Sequence, residues 1–189
     1  MNLICCFLLS LLPFSPVRQP VLILSSDKKE VESLPEYLYV LEDSTGTIGI
    51  DQILTEEFKS KFMLLKDFGE IPDSRNTYWL RLKVTTSGEQ QSPFGLIIPK
   101  SNHLVDLFEV TDTIIYHQKT GLYVSGEQNR EIIPFTNLIR LSNYRNACIF
   151  IKIRNTYDEN PSFLLRIVNI PREIVKNNQK TETALSSSG

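Results

Sequence analysis

The chain has 189 residues, 41% of them hydrophobic and 22% charged, the composition of one ordinary globular domain with a core that needs no staples. Lys and Arg number 20 against 22 Asp and Glu, and the net charge of −2 argues against a protein that neutralises many phosphates. Only 2 His and 3 Cys are present, and Cys5 and Cys6 lie in an N-terminal apolar run, which leaves no internal disulfide for the body and nearly excludes a Cys/His zinc site.

Residues 3–14, LICCFLLSLLPF, are too few to span a bilayer comfortably and match the apolar core of a signal peptide; a first buried strand is the competing reading. We expect an export signal over 1–18, an entry segment over 19–35 and a folded domain over 36–170. From about residue 170 the chain becomes polar and ends in Ser-Ser-Ser-Gly, so 171–189 is expected to be a juxtamembrane tail.

Inside the domain, short alternating runs are separated by turn residues. Tyr37 to Leu41 is apolar and runs into the turn Glu42-Asp43-Ser44-Thr45-Gly46. Asp51 can cap a helix over 51–62, with Ile53, Leu54, Phe58 and Phe62 as its apolar stripe. The run from Tyr78 to Val84 alternates cleanly. Tyr78, Leu80, Leu82 and Val84 share one face, and Trp79, Arg81 and Lys83 share the other. Further strands are predicted at 94–98, 104–110, 113–117, 134–141, 147–154 and 163–168. No strand-helix-strand alternation occurs. The pattern, with one short helix near 51–62, predicts an all-β fold, an antiparallel β-sandwich.

Catalytic constellations are scarce. No phosphate-binding glycine loop and no Gly-x-Ser-x-Gly elbow occurs. Asp43-Ser44-Thr45-Gly46 superficially resembles an aspartic-protease turn, but it has no second copy and reads as a turn leaving a strand. His103 and His117 lack partners at ligand spacing and are expected in surface or capping roles. Cys148 reads as an inert small hydrophobe inside a strand. Asp158-Glu159-Asn160, before Pro161, reads as a solvated hairpin tip rather than a cation site. A glycan-acting enzyme would need two carboxylates facing one cleft. Asp106, Glu109, Asp158 and Glu159 are the only candidates, and they are expected to fail. No metal or cofactor is expected.

Several segments taken together carry a resemblance. Leu41-Glu42-Asp43-Ser44-Thr45-Gly46 followed by a helix, Asp67-Phe68-Gly69 before Tyr78-Trp79-Leu80-Arg81-Leu82, and the 96–110 segment occur in one order. Thr120-Gly121, Arg130, Pro134-Phe135 and the Ile149-to-Ile153 strand then follow. The set resembles the second type of extracellular sensor domain of bacterial seven-transmembrane receptors with diverse intracellular signalling modules. Ser44 stands where proline is common, and Lys152 where arginine is.

The resemblance implies a jelly-roll-like sandwich related to carbohydrate-binding modules, on the periplasmic or extracellular side of a bacterial membrane. It also implies a transmembrane bundle and a signalling output elsewhere in the receptor. The expected function is a non-catalytic sensor of a small, carbohydrate-like ligand. The alternative is a protein-interaction module, including a homodimer, marked by an exposed apolar patch or edge strand.

The expected ligand face carries Trp79, Arg81 and Lys83, with Lys152, Arg154 and Arg166 from neighbouring strands. Against this, Trp79 would pack between sheet and helix, and Arg81 would pair with Asp106 or Glu109. Tyr116, Tyr123, Tyr144 and Tyr157 are alternative stacking platforms.

Overall fold

In the computed structural model the described residues are 19–25, 30–31, 34–87, 93–124, 137–142 and 146–176. The apolar run at 3–14, the loop at 125–131, Pro134-Phe135, Tyr144 and the last residues of the tail lie outside them.

The described residues form two packed sheets. In chain order the strands are β1 (Val21–Ser25), β2 (Glu30–Val31), β3 (Leu38–Asp43), β4 (Met63–Leu64), β5 (Thr77–Ser87) and β6 (Phe94–Ile98). Then come β7 (Leu104–Val110), β8 (Ile115–Thr120), β9 (Asn137–Arg140), β10 (Asn146–Arg154) and β11 (Arg166–Asn169). The larger sheet runs β4-β3-β5-β10-β7-β8, with β1 added beside β5, and the smaller runs β2-β11-β6-β9. All pairings are antiparallel except β1 with β5. The expected antiparallel sandwich is therefore present.

Alternation decides which residues fill the space between the sheets. Tyr78, Leu80, Leu82 and Val84 of β5 point inward, with Ile149, Ile151 and Ile153 of β10 and Val105 and Leu107 of β7. Leu96, Ile139 and Ile167 come to meet them from the smaller sheet. Removing each such side chain from water contributes about 1.5–3 kcal/mol.

β5 is the axis of the larger sheet. On one side it pairs with β10 from Thr77 to Thr85. On the other it takes β3 along its first six residues and β1 along its last five. The sheet thus reaches back to Val21, into the expected entry segment 19–35 and ahead of the domain start expected at residue 36. Leu22 and Leu24 of β1 are buried in the central core.

The helix predicted over 51–62 is two short turns. The first is α1 (Ile50–Ile53) and the second α2 (Glu56–Lys59). Thr55 is extended, at φ −72° and ψ 152°, and its side chain accepts a hydrogen bond from Phe58 N, so it ends one turn and caps the next. A third turn, α3 (Leu65–Phe68), follows β4, and a helix at 170–176 follows β11. The α1–α2 segment lies on the outer face of the larger sheet, where Ile53 and Phe62 pack with Trp79 and Phe150.

Candidate functional site

The outer face of the larger sheet is built from registered rows. One row runs Tyr39, Arg81, Phe150, Phe108, His117 across β3, β5, β10, β7 and β8. The next runs Leu41, Trp79, Lys152, Asp106, Lys119. Beyond these, Lys83 stands opposite Cys148 on one side, and Arg154 opposite Thr77 on the other. Five of the six predicted site residues therefore share this face. Arg166 does not. It lies opposite Ile97 on the outer side of the smaller sheet, across the core from the other five.

Trp79 is fully buried under the α1–α2 segment and stacks on Phe108 at 5.8 Å between ring centroids. It is the packing residue of the alternative reading, and no face is left for a ligand to stack on. Lys152 Nζ lies 5.2 Å from the Trp79 ring centroid and donates to Ile48 O at 2.9 Å. It thereby ties the 43–49 turn to the sheet.

That turn is organised by Asp43. Its Oδ1 accepts from Thr45 N, Thr45 Oγ1 and Gly46 N, and its Oδ2 accepts from Ile48 N. Gly46, at φ +68°, occupies the left-handed region that favours glycine. Asp43-Ser44-Thr45-Gly46 is thus a turn held by one carboxylate, and the aspartate is almost wholly buried.

Arg81 departs from the expected ion pair. Its side chain lies over the rings of Phe62 and Tyr39, 4.6 and 5.1 Å from their centroids, and Nη1 donates to Lys59 O at 3.1 Å. Asp106 instead meets His117 at 2.7 Å and Lys119 at 3.9 Å. Glu109, on the inward face of β7, accepts from Ser142 and Gln118. Arg81 is only 8% exposed, and its Nε has no partner among the described residues. Burial holds its guanidinium below the usual range, against smaller opposing pulls from Cys148, Tyr39 and Glu56.

Beside Arg81 opens a cleft of about 600 Å³ between α2, the end of β5 and the start of β10. Lys59, Arg81 and Lys83 supply positive charge, and Glu56 and Asp112 stand at the same cleft. Val21, Leu54, Val110 and Phe150 provide apolar lining. Cys148 lines it too, with its thiol pushed up to about 11, chiefly by burial. A smaller hollow of about 180 Å³ on the same face has Asp106, Lys119, Lys152 and Arg154 around it. The cleft can hold a drug-sized ligand and present a desolvated cation to it.

The carboxylates considered for glycan chemistry do not converge. Asp106 lies on the outer face of β7, whereas Glu109 is directed inward. Asp158 and Glu159 belong to the loop after β10. No group of three or more His, Cys, Asp or Glu able to hold a metal occurs among the described residues.

His117 keeps its surface position, stacked on Phe108 with ring centroids 4.4 Å apart. His103 does not, being 1% exposed at the other end of β10. Its Nδ1 accepts from Thr156 N at 2.9 Å, and its main-chain N donates to Asn155 Oδ1. The partners are more than fifty residues away, beyond what motif spacing can reveal.

Compared with known families, the chain matches 7TMR-DISM extracellular 2 over residues 35–169. No curated protein matches it.

Proposed function

Since the chain belongs to the 7TMR-DISM extracellular 2 family, and so is the extracellular or periplasmic sensor domain of a membrane-anchored receptor, we propose that it senses a small ligand in the Arg81 cleft. The ligand is a carbohydrate-like molecule bearing an acidic group. One observation carries this reading: a buried guanidinium with an unpartnered Nε, bonded to no carboxylate among the described residues although Glu56 and Asp112 stand at the same cleft, lines that cleft with two lysines. A charge withdrawn from water without an ionic partner is costly, and a ligand anion would relieve that cost. The apolar lining suits the hydrocarbon face of a sugar ring.

Such a domain works without catalysis. Asp106 and Glu109 face opposite sides of β7, which supports this part of the reading. Signalling follows from differential affinity: the ligand favours the domain arrangement in which α2, Arg81 and β1 close around it, and the transmembrane bundle reads that arrangement. Residues 1–18 serve as the export signal in the same proposal. The sandwich is jelly-roll-like and related to carbohydrate-binding modules.

The test is calorimetric titration with glucuronate, galacturonate, a sulfated monosaccharide and glucose. An acidic sugar should bind, glucose should bind more weakly, and Arg81→Met should weaken binding by about tenfold or more. That factor corresponds to one charge-assisted hydrogen bond of about 1.5–3 kcal/mol. Equal binding by Arg81→Met and wild type, or no binding by any acidic sugar, overturns the proposal. The interaction-module reading has its own observation: Ile114, Ile115 and Tyr116 are about half exposed at β8, the outer strand of the larger sheet. Concentration-dependent dimerisation lost on Ile115→Lys would favour it.

A further inference from the structure

At the far end of β10 from the Arg81 cleft, the chain brings three rings together. The centroid of buried His103 lies 4.7 Å from that of Tyr123 and 5.7 Å from that of Tyr157. The two tyrosines lie 6.2 Å apart at 77° between planes. His103 is the floor, whereas Tyr123 and Tyr157 are 50% and 64% exposed. Tyrosine pays little conformational entropy when it binds, and exposed aromatic clusters on rigid loops are a common form of recognition surface.

The loops beneath are fixed by buried polar groups. Asn102 donates through Nδ2 to Ser162 O and accepts through Oδ1 from Ser162 N, each at 2.8 Å. Tyr123 N donates to His103 O, and Leu122 N to Asn102 O. Gly121 sits at φ +121°, and a Cβ there would run into the His103 carbonyl. Asn155 Nδ2 donates to Glu159 O. Three separate loops are thereby held in one arrangement, and the surface they present is preformed.

A carboxylate stands at this corner. Glu159 Oε2 lies 3.4 Å from His103 Nε2, and its side chain is 65% exposed. With Nδ1 of the ring accepting from Thr156 N, the neutral imidazole carries its proton on Nε2, on the Glu159 side. Neighbouring Asp158 adds a second acidic side chain to the loop. The faces of the two tyrosine rings are also electronegative. Two exposed tyrosine rings beside a carboxylate form a surface that attracts a cation.

We propose that the Tyr123–Tyr157–Glu159 corner is a second ligand site, which takes a small organic cation, a primary or quaternary ammonium. The ammonium rests on the tyrosine faces and its charge is met by Glu159. This site has the opposite charge preference from the Arg81 cleft and stands without it.

The test is titration of the whole chain, followed by NMR, with choline and with its neutral isostere 3,3-dimethylbutanol. Choline should shift the Tyr123 and Tyr157 resonances saturably, and the isostere should bind at least about fivefold more weakly, as expected for a cation on aromatic rings. Tyr157→Leu and Glu159→Gln should each weaken choline binding about threefold or more while the urea midpoint stays near that of wild type. Equal binding of choline and the isostere overturns the proposal, as does binding unchanged in both variants. Saturation by glucose in place of choline overturns it too. Arg81→Met should leave choline binding intact, so failure of the cleft proposal reads out separately.

Discussion

Replacing Asp43 should show how much of the fold hangs on a single carboxylate. The side chain is 1% exposed and accepts four hydrogen bonds, from Thr45 N at 3.1 Å, Thr45 Oγ1 at 2.7 Å, Gly46 N at 2.8 Å and Ile48 N at 3.0 Å. An asparagine keeps one acceptor oxygen. If that oxygen serves Thr45 and Gly46, its amide faces the Ile48 N–H, donor against donor. Asp43→Asn should therefore cost about 1–3 kcal/mol, and Asp43→Ala, which abandons all four bonds, about 3–5 kcal/mol. Urea unfolding followed by the fluorescence of Trp79, the single tryptophan, measures both. With a slope of about 2 kcal/mol per M, a loss of 2 kcal/mol lowers the midpoint by about 1 M. If Asp43→Asn lies within about 0.5 kcal/mol of wild type, the size of an ordinary surface change, the reasoning about this turn fails. It fails equally if the alanine variant is no worse than the asparagine.

Two further outcomes follow from buried ionisable groups. Burial raises Glu109 above its ordinary carboxylate value, against the opposing hydrogen bonds from Ser142 and Gln118. Its folded value lies above its unfolded one, so its contribution to stability is complete below the unfolded value and is lost as pH rises through the folded value. Glu109→Gln should flatten that slope in urea midpoints taken from mildly acidic to neutral pH, and parallel curves for variant and wild type would contradict it. Cys148, pushed up to about 11, should react slowly with an aromatic disulfide at neutral pH in a Cys5→Ser/Cys6→Ser background, and quickly once unfolded in urea. Equal rates in both states would show that the thiol is not shielded.

The sandwich was legible because alternation is a local signal. The run from Tyr78 to Val84 declares its two faces, and the structure buries the tyrosine–leucine face in the central core as read. β1 is not legible in the sequence because five residues after a proline, followed by a polar stretch, look like an entry segment; its partner, Lys83 to Ser87, is about sixty residues away. The helix predicted over 51–62 is found as two turns at Ile50–Ile53 and Glu56–Lys59, since an apolar stripe does not disclose that Thr55 will turn and cap. At the site, alternation assigned Arg81, Lys83, Lys152 and Arg154 to outward faces but could not say which sheet would hold Arg166. Nor could it show that Trp79 would be roofed over, because the roof comes from α1–α2. The corner of His103, Tyr123, Tyr157 and Glu159 joins three loops, and only tertiary structure brings them together.

The shared edge of β5 also has a mechanical meaning. β3 holds Thr77 to Leu82, and β1 holds Lys83 to Ser87, end to end along the same side. Fraying that starts at Val21 therefore breaks the β1 hydrogen bonds first, at the half of β5 that carries Lys83 and Val84 of the cleft. The β3 half is held separately, by its own pairing and by the Asp43 turn. The wall of the cleft formed by Val21 can thus yield while the rest of the sheet keeps its register, and a ligand in the cleft bears on those same five residue pairs.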